Sequence, residues 1–227
     1  MSNKYEGLTV RNHWLHERSR LFEKYATEIP LTVDNVEIKL DYPDAGWIDM
    51  HILVNGEEKE LINLSDVYEP FEDIKEWLEN IVSHFFDFTP FGVNIYDESY
   101  NYNLYYEPIL FQTDELLTST PPELCGLFYI YDGYEGKIMA DAVCEKKAFV
   151  GNLYMKIIDF AQSASMNDDF IDDWCWQAYN EECAKMWKED NPDIKNLFIQ
   201  KVTSERVEKF LSDKNSTVRL FQSKSNY

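Results

Sequence analysis

The sequence predicts an α+β fold: a mainly antiparallel sheet of about six to seven strands, one inserted helix, an N-terminal helix and a C-terminal helical region. Three observations carry this. Apolar residues alternate with polar ones through much of residues 33–144. One strong helical stripe interrupts them near residue 70. Beyond about residue 145 the apolar period becomes 3.6. The expected organisation is an acidic, β-rich part (1–144), a helical part (145–213) packed on it as one unit, and a flexible tail (214–227).

The first element is an amphipathic helix over 12–29. Leu15, Phe22, Ala26 and Ile29 share a face, with Trp14, Leu21 and Tyr25 beside it, and Pro30 ends it. In 33–42, Val36, Ile38, Leu40 and Tyr42 alternate with Asn35, Glu37, Lys39 and Asp41, as in a strand with one wet face. Ile48, Met50, Ile52 and Val54 repeat the pattern in 47–54. Asn55-Gly56 then marks a tight hairpin into a return strand at 57–64.

The inserted helix covers about 70–85. Pro70 fits its first turn, Glu69, Glu72 and Asp73 suit its positive end, and Phe71, Ile74, Leu78, Ile81 and Phe85 form its stripe. Strands follow at about 91–97, 100–107, 124–131 and 137–144, with a polar loop over 112–123 and a hairpin around Asp132-Gly133. Phe149, Leu153, Ile157, Phe160 and Ala161 line the next helix. A second runs from Asn167-Asp168 to about Trp187, and a third stretch holds Ile194, Leu197, Phe198 and Val202, then Val207, Phe210 and Leu211.

Charge is the most uneven property. Asp plus Glu number 42 and Lys plus Arg 21, for a net charge of −21 and a pI near 4.4. That balance opposes direct contact with DNA, RNA or an anionic membrane, which need clustered cations. Residues 28–136 contain 24 acids and 3 bases (Lys39, Lys59 and Lys75), so they hold the whole excess. Solubility would be served by scattered acids. Confinement to one part of the chain points instead to a docking surface for a basic protein.

Tyrosine joins the acids there. Tyr96, Asp97, Glu98, Tyr100, Tyr102, Tyr105, Tyr106 and Glu107 lie within twelve residues, and Tyr131, Asp132, Tyr134 and Glu135 add to them. Tyrosine gives a large contact area at small entropic cost. Alternation puts Tyr100, Tyr102, Leu104 and Tyr106 on one side of a strand and Asn101, Asn103, Tyr105 and Glu107 on the other, which is assigned outward. The candidate contact residues are therefore Asp97, Glu98, Tyr100, Tyr102, Tyr105, Glu107, Asp132, Tyr134 and Glu135.

Other chemistry is weaker. Asp168, Asp169, Asp172 and Asp173 form i, i+4 pairs that could chelate a cation, but acids at a helix start are also favoured by the dipole and as caps. His13 and His16, with Glu17 beside them, put two imidazoles one helical turn apart, but not at the i, i+4 spacing of a metal motif. Cys125, Cys144, Cys175 and Cys183 form no CxxC pair and read as reduced thiols. No nucleotide loop or nucleophile motif occurs, and no cofactor is expected.

The expected function is a non-enzymatic acidic inhibitor that blocks a basic site on a partner protein, in the manner of an immunity protein or a nucleic-acid mimic. The alternatives are a metal-assisted hydrolase using an Asp/Glu cluster and a self-associating structural subunit. A monomer or homodimer in the cytoplasm is expected, with no leader and no apolar run near ~18 residues.

Overall fold

The period-two segments become strands, but they divide into two antiparallel sheets instead of one. The computed structural model describes residues 6–27, 32–68, 70–83, 91–96, 100–108, 125–165, 170, 174 and 194–213. The loop at 112–123, the tail at 214–227, Cys175, Cys183, and the helix expected at 167–187 apart from Phe170 and Trp174 lie outside these residues.

The first sheet holds β1 (Val36–Leu40), β2 (Trp47–Val54) and β3 (Glu57–Ser65) in sequence order. Its hairpin turn uses Asn55 at φ 55° and Gly56 at φ 80°. These are the left-handed conformations that a two-residue turn with the twist of its strands requires. A 3-10 turn (Asp66–Tyr68) leads to the helix at Pro70–Ser83, called α2; α1 is the N-terminal helix at Glu6–Thr27. The second sheet holds β4 (Phe91–Tyr96), β5 (Asn101–Pro108), β6 (Cys125–Asp132) and β7 (Lys137–Glu145), again in order. Helices α3 (Lys146–Ser165), α4 (Ile194–Val202) and α5 (Glu205–Ser212) follow.

The inner faces of both sheets meet α2 and α3 in one core. Ile48, Met50, Ile52, Ile62 and Leu64 come from the first sheet, and Leu104, Tyr106, Phe128 and Ile130 from the second. Phe71, Ile74, Leu78 and Ile81 of α2 are buried as their spacing predicts; Phe85 lies outside the described residues. The sheets are also joined by backbone. The amide of Asp34 donates to the carbonyl of Val143 at 2.6 Å, and the amide of Val143 donates to Oδ2 of Asp34 at 3.0 Å. The edge of β7 is thereby covered by the segment entering β1.

The packing face of α1 departs from expectation. Leu15 and Ala26 face solvent, while Leu21 is buried and Trp14, Arg18, Phe22 and Tyr25 are half-buried. Arg18 explains the rotation, because its guanidinium is drawn inward by Glu107 of β5. Every residue of β6 is buried: the main core covers one face, and Leu21 of α1 packs with Cys125, Leu127, Tyr129 and Val143 on the other. Among the described residues, no helix is long and apolar enough to cross a membrane.

Lys146 opens α3 and is buried, with Nζ 5.7 Å from the centre of the Phe210 ring. Burial pulls its pKa from 10.5 down to about 8. Between these values the unfolded chain binds more protons than the folded one, so stability rises with pH there. Tyr106 and Tyr129 act in the opposite sense: burial raises both pKa values, and their contribution is lost as pH climbs above 10. The expected melting temperature therefore increases from about pH 7.5 to about pH 9 and declines again by about pH 11. Lys146→Met should raise it at the lowest of these pH values and remove the initial increase. Calorimetric melts of both proteins check this; a rise that survives the substitution would assign it to another group.

Candidate protein-binding surface

Strand pairing places the β4–β5 and β6–β7 turns at the same end of the second sheet. Tyr96 pairs with Asn101, and Tyr102 with Asp132. Four tyrosines stand out of the surface at or beside this end: Tyr68, Tyr96, Tyr100 and Tyr134, the last 78% exposed. Tyr68 lies 5.8 Å from Tyr96, ring centre to ring centre. Tyr100 stacks on Tyr102 at 6.1 Å and meets Tyr134 edge-on at 5.9 Å. The rings thus hold one another in contact geometries that aromatic pairs prefer.

Carboxylates adjoin the rings. Glu135 follows Tyr134 in the turn and pairs with Lys137. Glu60 of β3 is partly buried, which raises its pKa; a backbone hydrogen bond at Leu61 opposes the rise. Asp132 and Glu135 add repulsion and Lys137 attraction. Three carboxylates and one ammonium group therefore act on one another at this end.

The nine candidate residues do not share one environment. Tyr100, Tyr134 and Glu135 are exposed, and Tyr102 is half-buried against the main core. Asp97 and Glu98 lie outside the described residues, as do Asp168, Asp169, Asp172 and Asp173.

Three candidates need correction as exposed contacts. Asp132 is buried, and its Oδ1 accepts hydrogen bonds from the amides of Tyr134 at 2.7 Å and Glu135 at 3.0 Å. Its carboxylate thus shapes the turn. Alternation places Glu107 on the side away from the main core, as the structure has it, but α1 covers that side. Its carboxylate receives Nε of Arg18 at 2.8 and 3.0 Å, a second bond from Arg18 Nη2, and the hydroxyl of Tyr129. Tyr105 is half-buried on the same face, 5.0 Å from the Tyr129 ring and 5.3 Å from Trp14.

The hydrogen bond to Glu107 is the largest influence on Arg18 and raises its pKa, against the effect of burial. Burial, with nearby Tyr131 and Glu107, pushes the Tyr105 pKa up to about 12. Both groups stay in their ordinary protonation states at neutral pH. Tyr25 donates a hydrogen bond to Asp141, which also pairs with Lys24 at 2.7 Å, so α1 is fastened at a second point.

No protein-family model matches this sequence, and no curated protein or solved structure does so either.

Other described acids of residues 28–136 lie on other surfaces. Glu37, Asp49 and Glu58 lie on the outer side of the first sheet, and Glu72, Asp73, Glu76 and Glu79 on α2. On that outer sheet face, Nε2 of His51 lies 3.2 Å from Oδ2 of Asp41 and Nδ1 lies 2.8 Å from Oε2 of Glu58, each carboxylate able to accept from a ring N–H. Burial lowers its pKa, but these two carboxylates outweigh it and the net shift is upward. Among the described residues, no three His, Cys, Asp or Glu side chains are placed to hold a metal ion.

Sequence reasoning missed Glu60, Tyr68 and the covering of Glu107 by Arg18. One signal for the last was available: Arg18 is flanked by Trp14 and Phe22, one turn away on either side. Another was the unbroken apolar character of Cys125–Tyr131, which suits a strand covered on both faces.

Proposed function

We propose that the chain is a non-enzymatic binding protein that blocks a basic site on another protein with its tyrosine-bearing end. The observation that carries this reading is the exposure of Tyr96, Tyr100 and Tyr134 at one end of the second sheet, with Glu135 in the turn beside Tyr134 and close enough to Glu60 to act on it. Burying these rings would supply contact energy, and the carboxylates would orient a cationic surface. The net charge of −21 adds long-range attraction that salt weakens. Tyrosine faces also bind cations directly, arginine above all.

The test uses Tyr100→Ala and Tyr134→Ala with Glu135→Lys in one chain. A fluorescent arginine-rich peptide is titrated against this variant and the unmodified protein at low and high salt. Loss of affinity by about ten-fold or more is expected, from two contact rings and one reversed charge. The melting temperature should hold, since all three side chains are exposed. Equal affinity at low salt would place the binding surface elsewhere. The same pair of proteins, used as baits in extract of the native host, identifies the cognate partner by what the variant fails to retain.

A further inference from the structure

We propose that Asn55-Gly56 is a deamidation site, held back by the fold, whose conversion unfastens the first sheet from the second. It stands whether or not the tyrosine-bearing end binds a partner. The reaction needs only water. The amide nitrogen of Gly56 attacks Cγ of Asn55, the bond from Cγ to Nδ2 breaks, and ammonia leaves with the proton given up by the attacking amide. Water then opens the cyclic imide at either of its two carbonyl carbons. One opening leaves aspartate; the other leaves isoaspartate, whose main chain runs through the former side chain. Nothing is oxidised or reduced. Glycine favours the attack because it has no Cβ to crowd the ring.

The turn offers both reacting groups. It holds the one Asn-Gly pair of the sequence, and both residues are exposed. A Cβ added to Gly56 would meet nothing within 4 Å. Among the described residues, no hydrogen bond from the Gly56 amide is seen. The Asp132-Gly133 turn differs, because there the glycine amide donates to the carbonyl of Asn101 at 2.9 Å. What restrains Asn55 is its own side chain. Its Oδ1 accepts from the amide of Asn35 at 2.9 Å, and its Nδ2 donates to Oδ1 of Asp34 at 2.8 Å. Any turn of the side chain toward the Gly56 nitrogen breaks these bonds.

Asp34 carries the effect to the second sheet. Its Oδ1 holds the Asn55 side chain, and its Oδ2 accepts from the amide of Val143 in β7 at 3.0 Å. One carboxylate thus ties the β2–β3 turn to β7. Conversion to aspartate replaces the donor Nδ2 with a negative oxygen facing Oδ1 of Asp34. Two carboxylates so placed repel each other. Isoaspartate instead adds a main-chain carbon to a turn whose geometry suits two residues. Either product pulls Asp34 from its place and opens the edge of β7 to other pairing. The bonds that slowed the reaction are lost with it, so the change runs one way.

Two measurements on the full chain decide the matter. In the first, the unmodified protein is held at neutral pH, folded or in denaturant, and mass spectrometry of its peptides follows residue 55 as the amide becomes an acid. Conversion in the folded chain should be measurable but at least about ten-fold slower than in denaturant. Equal rates overturn the restraint, and no conversion in the folded chain overturns the site. In the second, thermal melts and hydrogen exchange compare Asn55→Asp, Asp34→Asn and the double variant. Asn55→Asp should melt about 3–6 °C lower and exchange the Val143 amide at least about ten-fold faster. Asp34→Asn should also melt lower. The double variant again sets an amide against a carboxylate with the roles exchanged, so it should melt within about 2 °C of the parent. Parent-like melting and Val143 exchange in Asn55→Asp, or two losses that simply add in the double variant, overturn the inference.

Discussion

Phe149→Ala is expected to lower stability by about 3–5 kcal/mol, the cost of opening a large cavity in a core. Phe149 is the first buried apolar residue of α3, and three large rings meet it. Tyr106 stacks on it at 5.0 Å, Phe128 lies 5.2 Å away, and Trp77 of α2 meets it edge-on at 5.8 Å. The four rings link α2, α3 and two strands of the second sheet. None can fill the space alone, because Trp77 is fixed by a hydrogen bond from Nε1 to the carbonyl of Phe91 at 2.8 Å. At about 2–4 °C per kcal/mol for a chain of this size, the melting point should fall by roughly 6–20 °C. Phe149→Leu should cost less than half as much, since it keeps most of the volume. Thermal melts of both variants check the argument, and a shift under about 3 °C for alanine would mean the ring cluster is not a structural centre.

Phe149 was legible in the sequence; its consequences were not. The spacing from Phe149 to Ile157 marks a helix stripe, as Phe71 to Ile81 does for α2, and both stripes are buried. Local period decides such elements, because a helix packed on one side needs apolar residues at that spacing. The division into two sheets is another kind of fact. Hairpins fix β1-β2-β3 and β6-β7 through adjacent pairings, but no local pattern states that β3 and β4, separated by α2, are not neighbours in one sheet. The face of α1 is not legible for a similar reason. Counting apolar residues favours Leu15 and Ala26, and only the distant carboxylate of Glu107 makes Arg18 an inward residue. The candidate surface divides along the same line. Tyr100 and Tyr134 remain exposed at a turn, where local sequence governs, while Tyr105 and Glu107 are covered by an element some ninety residues earlier in the chain.

Gly126→Ala should be nearly as damaging as the loss of Phe149, for the opposite physical reason. A Cβ built on Gly126 would lie 2.6 Å from Cε1 of Tyr106 and closer still to Cζ and the hydroxyl oxygen. The ring of Tyr106 crosses the space above β6 on its way to Phe149, and both residues are fully buried. A rigid ring held on its far side by another ring has nowhere to retreat, so the strain reaches the strand pairing between β5 and β6. About 3 kcal/mol is expected, the upper end of the usual cost of overpacking, with a small offset from the stiffer unfolded chain. Two comparisons isolate the cause. At Gly92 the clash is with Tyr105, 2.6 Å away but only half-buried, so that ring can swing and Gly92→Ala should cost less. In Tyr106→Leu the obstructing ring is gone, so adding Gly126→Ala to it should cost far less than in the parent chain, a departure from additivity of at least about 1 kcal/mol. Denaturant titration of the single and double variants measures that difference. If the two changes simply add, the ring is not what keeps residue 126 a glycine, and the packing described for β5, β6 and α3 is wrong at its centre.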